Sequence, residues 1–103
     1  MILISYKSLM QIRTGVDIIE VNRIEESINS LGEKFLKRVF TDYEITYCNS
    51  KNNMKYQHYA ARFAAKEAIF KAISSSLKTK YEITWTDIEI RNDENRKTYF
   101  FYK

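Results

Sequence analysis

Ala, Phe and Ile are dense enough between residues 54 and 77 to predict one long helix, from about Met54 to Leu77. Its apolar positions run nearly all the way round, with Ile69 and Ile73 facing away from the stripe around Glu67. That is the pattern of a helix in the middle of a domain or an assembly. Upstream, residues 11–19 are rich in β-branched side chains and read as a β-strand from about Ile12 to Ile19. Val21, Ile24, Ile28 and Leu31 fall at helical spacing, predicting a helix from about Val21 to Leu31 that Gly32 ends. Phe35, Leu36, Val39 and Phe40 predict a short second helix. Thr41, followed three residues later by Glu44, is a capping box opening another, in which Ile45 and Tyr47 follow. Ser50 to Asn53 reads as loop and N-cap. Glu82 to Arg91 alternates as a strand, Asn92 to Asn95 is its turn, and Lys97 to Tyr102 is a second strand. The order predicts an α+β subunit: a small antiparallel sheet packed on a long central helix, with shorter helices.

Length and composition refine this picture. The 103 residues are expected to form a single domain over 1–103, with residues 1–10 as an N-terminal extension and Met10 as an alternative start. The opening apolar run is too short and too interrupted for a signal peptide or a membrane span. A chain of this size buries about 60–65% of its unfolded surface, so oligomerisation is a natural source of further burial. The strand Tyr99 to Tyr102 would leave an aromatic edge uncovered, which again favours a neighbouring subunit or further polypeptide. Two glycines and no proline argue against long linkers. One cysteine, Cys48, excludes an intramolecular disulfide and suits a reducing compartment; it is expected on a partly buried helix, not as a catalytic thiol. His58, the only histidine, reads as a helix-surface or packing residue, and Trp85 as core or interface. The formal charge of +4 and pI of 9.2 suit an anionic partner, or solubility alone. Lys and Arg alternate with Glu and Asp and form no basic stripe, which argues against nucleic acid.

Two carboxylates sit where carboxylates are disfavoured. At 100° per residue, Ala60, Phe63, Ala64, Phe70, Lys71 and Ser74 fall within about 60° of Glu67. Glu67 therefore lies within an apolar stripe, with Lys71 one turn along. The plain reading is an i,i+4 Glu–Lys bridge. Asp17, however, interrupts the apolar run Val16-Asp17-Ile18-Ile19 of the predicted first strand. An acid on a strand and an acid on a helix, both in apolar surroundings, can share a hard cation; magnesium is usually held by one or two carboxylates with phosphates completing its shell.

Three blocks carry a family resemblance: Gly15-Val16-Asp17 with Arg23 six positions on, Phe40-Thr41-Asp42-Tyr43-Glu44, and Arg62-Phe63-Ala64-Ala65-Lys66-Glu67-Ala68. In that order the chain resembles the small AcpS-type 4′-phosphopantetheinyl transferases, the holo-acyl-carrier-protein synthase family. The similarity runs from about Ile12 to the C-terminus and includes Trp85-Thr86-Asp87-Ile88-Glu89-Ile90. The resemblance implies magnesium-dependent transfer of phosphopantetheine from coenzyme A to a serine of apo-acyl carrier protein, in fatty acid biosynthesis, releasing adenosine 3′,5′-bisphosphate. It places the family's metal ligands on Asp17 and Glu67 and its diphosphate-contacting lysine on Lys71. Catalysis falls to Asp17, Glu67 and Lys71, with Glu67 also the candidate base. Arg62, Lys66, Lys71 and Ser74 become candidate coenzyme A contacts, and Arg23 the docking residue for the acidic carrier. The resemblance also implies a homotrimer with active sites between subunits and a cytoplasmic setting, or an organelle such as the plastid in a eukaryote. It implies no membrane partner.

Departures from the family pattern are equally specific. Ser74-Ser75-Ser76-Leu77-Lys78-Thr79-Lys80 stands where the family carries a Gly-rich turn around coenzyme A, and Arg96-Lys97-Thr98 where a Gly-Lys-Pro turn is expected. The family's later strand with its Ser-x-Ser-His motif has no counterpart before Lys103. The alternative reading is therefore a catalytically impaired relative that binds coenzyme A or the carrier without turnover.

Overall fold

The computed structural model describes residues 18–76, 84–92 and 98–102, and side chains over 20–72 and 84–92. Four α-helices come first: α1 (Ile18–Leu31), α2 (Glu33–Val39), α3 (Asp42–Asn49) and α4 (Lys55–Ser76), the last preceded by a 3-10 turn over Asn52–Met54. A second 3-10 turn, Trp85–Asp87, leads into strand β1 (Ile88–Asn92), which pairs antiparallel with β2 (Thr98–Tyr102). The register sets Ile88 opposite Tyr102 and Asn92 opposite Thr98. α1 and α3 pack on α4, and β1 packs on both α3 and α4. The described elements, mostly helical with one strand pair, are compatible with the α+β class that the pattern predicts.

α1 starts three residues earlier than its apolar spacing suggests. Ile18 and Ile19, read as the end of a strand, are its first turn. Their β-branching is only a weak local preference for strand. The rest of that predicted strand, with Asp17, lies outside the described residues. Gly32 closes α1 with its N–H donating to the Ile28 carbonyl at 2.8 Å, and takes φ 61°, ψ −137°. The next helix starts at once, because the Gly32 carbonyl accepts from Phe35 and Leu36.

α3 opens on the capping box expected at Thr41. The Thr41 hydroxyl accepts from the Glu44 N–H at 3.3 Å, and the Glu44 carboxylate accepts from the Thr41 N–H at 2.8 Å. The same hydroxyl donates to Glu89 Oε1 at 2.6 Å, tying the helix start to β1. Over residues 84–87 the strand reading fails, while Glu82 and Ile83 lie outside the described residues. Thr84 and Asp87 close a local turn, the Thr84 N–H donating to Asp87 Oδ2 at 2.9 Å, so regular pairing begins only at Ile88. Side chains that bond their own backbone compete with the sheet in this way.

The core gathers Ile24, Val39, Phe40, Cys48, Tyr59 and Ala60, with Phe35, Ile45, Phe63 and Trp85 packed around them. Phe40 lies against Tyr59 with ring centroids 4.9 Å apart, and the Tyr59 hydroxyl donates to Asn49 Oδ1 at 2.8 Å, locking α3 to α4. Burial pushes the Cys48 thiol up to about 12, so it stays protonated and inert, as the sequence suggests. His58 packs edge-on against Tyr47, the packing role expected of it.

Thr41→Ala is expected to lower the unfolding free energy by about 1–2 kcal/mol, the cost of a lost N-cap; an unchanged urea midpoint would show that the cap contributes nothing. Native protein at pH 8 is expected to release no chromophore from a disulfide thiol reagent over minutes, and one equivalent once unfolded, because Cys48 is fully covered.

Candidate active site

The candidate residues of α4 divide between two faces of the helix. Tyr59, Arg62, Lys66 and Ile69 are all buried, at spacings of three and four that make one inward seam. Glu67, one residue on, is rotated by about 100° and is half-buried; Lys71, a turn further, is exposed. The deepest face of α4 is thus centred on Lys66, not on Glu67. Gln57, Ala68, Lys71 and Ala72 are exposed, so the helix has an open side within this chain.

Lys66 corrects the expectation that it contacts coenzyme A phosphates. Its side chain is 0% exposed, and its ammonium donates to the Val39 carbonyl at 2.6 Å and the Trp85 carbonyl at 3.0 Å, and pairs with Glu44 Oε1 at 2.6 Å. All three N–H groups are used inside the protein. Glu44, also 0% exposed, accepts through Oε1 from the Thr41 N–H and through Oε2 from the Ile90 N–H at 2.8 Å. Burial draws the Lys66 pKa below the ordinary lysine value, while the Glu44 carboxylate acts in the opposite direction. Sequence reasoning took Glu44 as a helix cap and as part of the Phe40–Glu44 block, and gave it no role inside the fold. The available signal was Lys66 at the centre of the seam from Tyr59 to Ile69, which demands an acid inside the fold.

Arg62 is 4% exposed, with its guanidinium carbon 4.1 Å from the centroid of the Tyr47 ring. Its Nε and Nη2 have no hydrogen-bond partner among the described residues. A buried guanidinium with unused donors is an unusual arrangement whose chemistry suits an anion. Around Glu67, Phe63 and Phe70 stand at i−4 and i+3, and Trp85 covers both, with centroids at 5.1 and 4.6 Å. The described ion pairs do not include a Glu67–Lys71 bridge, so the plain reading of that pair does not hold. Arg23 is exposed on α1, its guanidinium 3.4 Å from Glu20. Ser74 lies in the last turn of α4, where side chains are not described. Asp17 lies outside the described residues, and no cluster of three acids, histidines or cysteines occurs among the described ones. One half-buried carboxylate at Glu67 still fits an ion that takes only one or two from protein.

A family model, described as the 4′-phosphopantetheinyl transferase superfamily, matches residues 13–103. The chain belongs to this superfamily. Among its relatives, a holo-acyl-carrier-protein synthase of Halothermothrix orenii is 46% identical over 86% of this chain and 68% of its own length. Synthases of the same description from Koribacter versatilis and Solibacter usitatus are 46% and 48% identical, over 90% and 81% of this chain and 73% and 64% of theirs. This superfamily member therefore spans roughly two thirds of the length of these relatives. No solved structure matches it.

Lys66→Met leaves Glu44 buried without its cation, and is expected to lower stability by about 3–5 kcal/mol. Lys71→Met, on the exposed side, should leave it within about 0.5 kcal/mol. Equal chemical-denaturation midpoints for the two variants would contradict the assignment of Lys66 to the interior.

Proposed function

We infer that the chain is a holo-acyl-carrier-protein synthase, moving 4′-phosphopantetheine from coenzyme A to a serine of apo-acyl carrier protein and releasing adenosine 3′,5′-bisphosphate. The identity of 46% to synthases that align with 86% and 90% of the chain carries this reading. The arrangement on α4 supports it. The serine oxygen attacks the phosphorus that bears pantetheine, and the bond from that phosphorus to the adenosine bisphosphate breaks. Such a transfer needs positioning and neutralised phosphoryl charge more than covalent help from the protein.

Lys71, exposed one turn from Glu67, presents its ammonium to the diphosphate oxygens. Glu67, half-buried beside Phe63 and Phe70, takes the serine proton directly or through an intervening water. Arg62 offers its unused donors to a phosphate. Magnesium, held by Glu67 with Asp17, would neutralise phosphate oxygens as charge moves onto the leaving group. Arg23, exposed on α1, meets an acidic carrier by charge complementarity. Ser74 remains a proposed contact for the coenzyme.

The same reading carries a place in fatty acid biosynthesis, a cytoplasmic setting and a homotrimer with active sites between subunits. Exposed Ala68 and Ala72 beside Lys71, and Leu31 at 59% exposure, support a further covering surface. No helix among the described residues is long and apolar enough to cross a membrane.

The test is labelling of apo-acyl carrier protein with coenzyme A and magnesium. Glu67→Gln is expected to reduce transfer at least 100-fold, and Lys71→Ala about 10- to 100-fold in kcat. Arg23→Glu should raise KM for the carrier and leave that for coenzyme A unchanged. Full activity in Glu67→Gln would remove the central assignment.

A further inference from the structure

We propose that the buried Glu44–Lys66 pair is a positioning element for the transfer reaction, fixing the roll of α4 so that Glu67 and Lys71 face the diphosphate. This rests on the transferase reading above. A helix packed through apolar contacts alone can turn about its axis, because dispersion contacts are weak singly and non-directional. Three directional bonds from one ammonium remove that freedom. Lys66 reaches Glu44 on α3, the Val39 carbonyl ending α2, and the Trp85 carbonyl ahead of β1. Glu44 in turn holds the Ile90 N–H of β1. Glu67 follows Lys66 directly, so a change in roll at one is a change in direction at the other.

A second path runs through Trp85. Its carbonyl is held by Lys66 and its indole lies on Phe63 and Phe70, the neighbours of Glu67 along the helix. The pair thus sets both the backbone that carries Glu67 and the ring that walls its face. Neither Glu44 nor Lys66 touches substrate in this role. Their effect is expected in the chemical step more than in binding.

The double variant E44Q/K66M removes both charges together, which avoids leaving one uncompensated. Three quantities are measured on the full chain: its denaturation midpoint, kcat and KM with coenzyme A and apo-carrier, and the emission of Trp85, the only tryptophan. The expected result is a folded protein with kcat down at least 10-fold, KM for coenzyme A within about 3-fold, and emission moved to the red. A folded double variant with unchanged kcat overturns the proposal, whatever its midpoint, and assigns the pair to folding alone. Should the double variant show no cooperative unfolding, K66R decides. It keeps the charge but alters the reach, and a kcat about 5-fold lower with shifted emission supports the role; unchanged kcat overturns it. An inactive wild-type chain overturns the transferase reading instead, which separates the two failures.

Discussion

An ammonium group without access to water must have every proton accepted by the protein, and this requirement at Lys66 organises the described structure. The ends of α2 and α3, the turn at Trp85, α4 and β1 all contribute to one site of charge compensation. A hydrophobic core tolerates small shifts between elements, since one apolar contact replaces another. A buried ion pair does not, because a displaced partner leaves a charge in a medium that cannot solvate it. The apolar cluster of Ile24, Phe40, Tyr59 and Ala60 supplies burial; the polar node within it supplies orientation.

Consecutive residues of α4 have opposite duties as a result. Lys66 is turned wholly inward, and Glu67 borders the open side with Lys71. Because one helical residue is a rotation of about 100°, a single strand of sequence serves the interior and the reaction surface at once. Arg62 occupies an intermediate position: it is inside the fold, stacked on Tyr47, but with guanidinium donors unused among the described residues.

Much of the fold was legible because its signals were local. The Thr41–Glu44 capping box, the end of α1 at Gly32 and the extent of α4 follow from neighbours a few positions apart. The α1 start was misread because Ile18 and Ile19 favour strands only weakly, and the β1 start because Thr84 and Asp87 bond locally before the ladder begins. The site was less legible. Spacing alone identified Glu67 as an acid on an apolar face, but could not tell which of two adjacent charges is buried. That depends on Glu44, 22 positions upstream, whose carboxylate satisfies a local cap and a distant cation together. A residue whose short-range explanation is complete gives no hint of a long-range one.

The corner between α1 and α2 shows a different kind of constraint. At φ 61°, ψ −137°, a Cβ built on Gly32 meets nothing within 4 Å. Crowding is not what reserves this position for glycine. Its mirror image is the extended backbone that any L-residue adopts with ease, so the corner is a matter of handedness. The chain reverses there by borrowing a conformation natural to the opposite enantiomer, and only the one achiral amino acid can supply it without strain.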